Sequence, residues 1–204
     1  MITDPSLIEK MSFEIIASEI KTAVSDEHKP VIFRIIHTTA DFEYADLTEI
    51  HPDAIIRGMD VIRSGCRIYA DTSMILAGVN KKLLQKNNCE IYTYISDEET
   101  AGEAMARGVT RSIVGMERAC IDKDTKIFVI GNAPTALDAL SKNIKAGFAA
   151  PELVIGVPVG FVGAAESKDD LKTTGSPYII TRGRKGGSTV AVSILNAILM
   201  MIEK

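Results

Sequence analysis

Lys126-Ile127-Phe128-Val129-Ile130-Gly131-Asn132-Ala133-Pro134-Thr135 decides the fold class. Its first half is a continuous apolar run, and its second half breaks through Gly, Asn and Pro into a segment of helical character over 135–145. A strand apolar on both of its faces must be covered on both sides, as in a parallel sheet between helical layers. Leu153-Val154-Ile155 repeats the pattern. Working outward, further β-rich runs lie at 66–70, 90–95 and 178–181, separated by helical segments at 73–86, 100–119 and 167–172. A closing helix is expected over 188–202. Strand and helix in alternation give an α/β domain, a five-stranded parallel sheet with helices on both faces.

The first sixty residues read differently. Asp4-Pro5 can open a helix, and Ile8, Met11, Ile15, Ile16 and Ile20 follow near helical spacing. These residues are expected to form a helical preamble packed on the sheet, within one domain spanning 1–204.

Composition narrows the function. Apolar residues make up 46% and charged residues 25% of 204, enough to bury a core, and a net charge of −4 argues against nucleic acid as a partner. An anionic ligand must then be caught by a local cationic cluster. Cys66, Cys89 and Cys120 form no C-x-x-C pair, so they read as reduced thiols of a cytoplasmic protein without a disulfide framework or zinc site. The apolar stretch 190–202 is too short to span a bilayer, so no membrane partner is expected.

In open parallel sheets, ligands bind beyond the carboxyl ends of the strands. Four segments should converge there: 71–74, 131–135, 158–163 and Arg182-Gly183-Arg184-Lys185-Gly186-Gly187-Ser188. The last brings three cations and three glycines to a helix start, a composition suited to anions. A flexible surface turn explains it about as well. It lacks G-x-x-x-x-G-K-[ST] spacing, and no G-x-G-x-x-G follows the first strand, so no nucleotide is implied.

Arg34-Ile35-Ile36-His37-Thr38-Thr39-Ala40-Asp41 is the sharpest local feature. On a helix Arg34, His37, Thr38 and Asp41 share a face, although the β-branched content of 31–36 also suits a strand. Imidazole, with an ordinary pKa near 6.5, can donate and recover a proton, and Asp41 or Arg34 would tune it in opposite directions. A lone histidine is more often a structural one. His28 and His51 sit in turn-like contexts and are read as structural or solvated. Arg107 and Arg111, four apart on an expected helix and followed by Arg118, offer either a solvated face or a carboxylate site.

Taken together, 12–16, 34–41, 71–79, 110–112, 131–137, 156–162 and 182–188 resemble the precorrin-8X (or cobalt-precorrin-8) methylmutase family over nearly the whole chain. The resemblance implies a flavodoxin-like three-layer fold, a homodimer, and no organic cofactor or catalytic metal. It implies migration of a methyl group from C11 to C12 of a precorrin-8 tetrapyrrole by a [1,5]-sigmatropic shift. His37 matches the family's active-site histidine and Arg111 its cleft arginine, while Ser12 and Thr72 fall in matching motifs. A large apolar ring bearing carboxylates needs an apolar floor and a cationic rim. Phe161, Val162, Met74 and Leu76 are expected for the floor, and Arg111, Arg182, Arg184 and Lys185, with Arg34, for contacts to substrate. Two other classes stay open: a nucleotide-binding α/β enzyme and a non-catalytic corrin carrier.

Overall fold

The computed structural model describes residues 4–203. In chain order the elements are α1 (Pro5–Glu19), α2 (Lys29–Thr39), α3 (Tyr44–Leu47), β1 (Thr48–Ile50), α4 (Ala54–Arg63), β2 (Arg67–Ala70), α5 (Ser73–Gly78), α6 (Lys81–Lys86) and β3 (Glu90–Tyr92). There follow α7 (Glu98–Arg107), α8 (Arg111–Ile121), β4 (Thr125–Ile130), α9 (Pro134–Lys145), β5 (Leu153–Gly156), α10 (Ala164–Lys172), β6 (Tyr178–Thr181) and α11 (Ser188–Ile202).

The sheet runs β1-β6-β5-β4-β2-β3, with all neighbours parallel except the β1–β6 edge pair. Without β1 the five parallel strands stand in the order 2-1-3-4-5 of flavodoxin-like sheets. The sheet thus has one strand more than the five expected and is mixed. The extra strand comes from the segment read as a helical preamble, where Thr48-Glu49-Ile50 pairs with β6. Three residues carry too little periodicity to announce a strand.

Side-chain alternation along the strands builds two cores. Ile68, Ile127, Val129, Ile155 and Ile179 point to one layer, against α2, α4 and α11; Tyr69, Phe128, Ile130, Val154 and Ile180 point to the other, against α8, α9 and α10. Segments 73–86 and 100–119, each read as one helix, are two apiece. The first breaks at Val79-Asn80, where Asn80 caps α6, and the second at Gly108 in left-handed conformation.

Residues 31–36 form helix, despite their β-branched content. Val31, Ile32, Ile35 and Ile36 make one stripe, each at most 4% exposed, against α11. Poor helix propensity costs at most about 0.7 kcal/mol per residue. Burying each side chain returns about 1.5–3 kcal/mol, so packing decides. Pro30 opens the helix, and Ala40, at φ 54°, ends it just after His37, Thr38 and Thr39.

Candidate active site at the strand ends

The crevice where the strand order reverses lies between β2 and β4. It is filled by the protein itself. Asp71, 1% exposed, accepts the Gly131 N–H at 2.9 Å on Oδ1, and those of Asn132 at 2.9 Å and Ala133 at 2.8 Å on Oδ2. Burial pushes its carboxyl above the ordinary carboxylate range, and these donors oppose the rise. A nucleotide phosphate seeking the N-terminus of α9 would have to displace this carboxylate. The loop before α11 closes over the same ends. A Cβ on Gly131 would lie 2.7 Å from Ser188 Cα, and one on Gly186 2.1 Å from the Val157 oxygen, so both contacts exist only with glycine. Thr72 caps α5 through the Ile75 N–H and bonds Ser188 at 3.0 Å, tying the two loops together.

His37 sits on the last turn of α2, at a 300 Å³ cleft lined also by Arg34, Thr38, Met74, Thr189 and Val192. Its ring is exposed and meets Phe13 edge-on at 5.5 Å. Among the described residues neither ring nitrogen has a hydrogen-bond partner, and no group of three or more His, Cys, Asp or Glu gathers as a metal site. An exposed imidazole with free nitrogens at the mouth of a partly apolar cleft can exchange a proton with a ligand lying across it.

The polar face expected around His37 holds only in part. Arg34 lines the cleft, but pairs with Glu9 at 2.8 Å and stacks over Phe13 at 4.9 Å. Asp41 lies beyond the helix end and pairs with Lys185, which holds its carboxyl below the usual range. Lys185 also bonds Glu43 at 2.7 Å, so it already has two acidic partners. A substrate carboxylate at the rim would have to compete with both for Lys185. Arg182 bonds the Asp46 carbonyl and pairs with Glu49 at 3.3 Å. Arg184 alone of the three has no acidic partner among the described residues, and its guanidinium lies 5.4 Å from the Phe161 ring centre.

Arg111 opens α8 and is exposed, without an ion-pair partner among the described residues. Its helix lies in the layer opposite to α2, so Arg111 and His37 share no cavity. Arg107 belongs to a different helix and bridges Glu103 and Glu117, while Arg118 pairs with Glu99 and Glu103. Both form the solvated network, not a carboxylate site. Ser12 bonds the Ile8 carbonyl within α1, next to the Phe13 that touches His37. Of the expected floor, Met74 lines the His37 cleft and Leu76 packs into the core. Phe161 and Val162, 83% and 88% exposed, stand on the separate loop beside Arg184. His51 meets Tyr178 edge-on at 5.6 Å and accepts the Asp53 N–H, a structural role as expected.

Sequence reading missed the roles of Asp71 and Lys168, because each acts on backbone groups distant in the chain. It also missed that Cys66 and Cys89 meet, Sγ to Sγ 3.8 Å, as buried free thiols at the starts of adjacent strands.

This sheet order, with a histidine at the carboxyl-end rim, can be set beside known proteins. The family model described as precorrin-8X methylmutase matches residues 7–201. The chain belongs to that family. Its members are isomerases of cobalamin biosynthesis. The chain is 48% identical to the cobalt-precorrin-8 methylmutase of Priestia megaterium, over 98% of this chain and 89% of the relative. It is 43% identical to the Salmonella typhimurium protein of the same name, over 100% and 98%. The solved precorrin-8X methyl mutase of Thermus thermophilus superposes with a TM-score of 0.86 at 36% identity, covering 96% of this chain and 97% of that one. The fold expectation thus stands, with the additional antiparallel edge strand. Among the described residues no helix is long and apolar enough to cross a membrane.

Proposed function

We propose that this enzyme moves a methyl group from C11 to C12 of precorrin-8, with or without cobalt, to give hydrogenobyrinate or cobyrinate. His37 acts as the acid. The observation that carries this reading is the unpartnered His37 imidazole at the cleft between α2, α5 and α11. Protonation of the conjugated ring makes it electron-poor and eases the [1,5]-sigmatropic shift, and no nucleophile or redox group is needed. Positioned general acids contribute about 10²–10⁴-fold.

The macrocycle exceeds a 300 Å³ cleft, so it would lie across the mouth rather than within it. Met74 and Val192 then support its apolar underside, with Thr38 and Thr189 beside it. Arg184 and Arg111 are the free cations left for its peripheral carboxylates, with Arg182 able to exchange its surface pairing. Thr72 shapes the rim through Ser188, and Ser12 lies beside the Phe13 that orients His37. Leu7, Ile8, Met11 and Ile15 form an exposed apolar stripe on α1, which supports a homodimer. The cytoplasm is the proposed location, in keeping with three free cysteines.

The two curated relatives carry the cobalt form in their names, whereas the family and the solved structure carry the metal-free one. The test therefore offers both substrates. Incubation with each should change the absorption spectrum without changing the mass. His37→Ala should lose this conversion while keeping a wild-type melting profile. Full turnover by His37→Ala would refute the assigned acid, and tight binding without conversion by the wild type would make the protein a carrier.

A further inference from the structure

Lys168 is a lysine on α10 that is 1% exposed, and the proton-transfer scheme makes no use of it. Its Nζ donates to the Gly183 carbonyl at 2.9 Å, the Lys185 carbonyl at 2.8 Å and Thr181 Oγ1 at 3.3 Å. Thr181 Oγ1 in turn donates to the same Lys185 carbonyl at 2.7 Å. An ammonium has three N–H donors, and here it meets three acceptors. Two of them are the carbonyls on either side of Arg184. The Arg184 carbonyl itself accepts the Gly160 N–H at 3.1 Å from the loop bearing Phe161, over which the guanidinium stacks. Three successive carbonyls are thus pinned from two directions, and Arg184 stands at the middle of the pinned turn.

We propose that Lys168 is a positioning residue for this enzyme, holding the 183–185 turn so that Arg184 is presented to a carboxylate of the substrate. This rests on the reading of the loop as substrate-binding. Burial pushes the Lys168 amine down to about 8, so holding it in the fold is unfavourable, and an apolar side chain of similar length would avoid that cost. An amine is retained where carbonyls must be fixed, and no local helix rule calls for one facing inward from α10. A flexible Arg184 would still carry its charge, but would lose ordering each time a ligand bound.

The test is a double-mutant cycle on turnover of precorrin-8X or its cobalt form. Lys168→Met should raise KM by about tenfold to a hundredfold with kcat largely kept, as misplacing a binding group does. Arg184→Ala should raise KM comparably. The double variant should be no worse than the poorer single, because both remove one interaction. A merely structural Lys168 would instead give additive effects, and additivity overturns the proposal. An unchanged KM in Lys168→Met with a raised KM in Arg184→Ala also overturns it, leaving the loop's role intact. An unchanged KM in Arg184→Ala overturns the substrate-binding loop and this proposal with it. If Lys168→Met fails to fold, Lys168→Gln, which keeps a polar donor but is too short to hold both the Gly183 and Lys185 carbonyls, decides by the same cycle.

Discussion

Replacing Asp71 by Ala removes one carboxylate and leaves three backbone N–H groups without an acceptor. Asn132 is exposed, so water can take its N–H, whereas Gly131 and Ala133 are buried. A buried donor left unsatisfied costs about 1–3 kcal/mol. Two of them predict a loss of about 2–6 kcal/mol for Asp71→Ala. Asp71→Asn keeps one acceptor oxygen, which can serve Gly131 or the Asn132–Ala133 pair but not both, so its loss should be about 1–3 kcal/mol. The relevant assay is urea denaturation followed by circular dichroism, with a thermal melt beside it. For a domain of this size each kcal/mol moves Tm by roughly 2–4 °C, so Asp71→Ala should melt at least about 4 °C lower. The order Ala worse than Asn is as diagnostic as the size. A midpoint within error of wild type for Asp71→Ala, at unchanged m-value, would refute the view that this carboxylate secures the crevice.

Three further outcomes follow from the same geometry. Gly186→Ala places a Cβ 2.1 Å from the Val157 oxygen at φ 153°, so either the loop or the chain leaving β5 must shift; we expect at least about 1–3 kcal/mol lost in chemical denaturation and a larger KM. The Asp41 carboxyl is held low by Lys185, so its contribution to stability is present above the unfolded value near 3.9 and is lost as pH falls through the lower folded value. Wild type should accordingly melt above Asp41→Asn at neutral pH, with the gap closing only in strongly acidic buffer; a gap independent of pH would exclude the ion pair as its cause. Ile35→Ala, at a fully buried position between α2 and α11, should cost about 2–5 kcal/mol and loosen the helix that carries His37, read as both a lower midpoint and reduced turnover.

How much of this was legible beforehand depends on the range of the interactions. Ile127 to Ile130 and Leu153 to Ile155 state in their own side chains that both faces of the sheet are covered, and both strands are where the pattern put them. His37 stood out because its neighbours form a recognisable motif, and the cleft around it was foreseeable only as strand-end loops. Lys185 could not be told from Arg184 in the sequence. One is neutralised by Asp41 and Glu43, which lie more than a hundred residues earlier, and the other is not. The apparent Arg107–Arg111 pair failed because Gly108 takes a left-handed conformation and turns the chain between them.

Sequence by itself determined the alternation of strand and helix and the family, and it singled out His37 as the histidine proposed to act, since these are carried by local periodicity and by short motifs. Tertiary structure decided which charges remain available to a ligand, what fills the crevice between β2 and β4, and that residues 31–36 become a helix. Each of these is a competition settled by a distant partner: Glu9 for Arg34, Asp71 for the α9 amides, α11 for the isoleucines of α2. Apolar burial and buried hydrogen bonding, at about 1–3 kcal/mol per group, exceed local preferences of at most about 0.7 kcal/mol, and all three partners meet only once the chain has closed on itself.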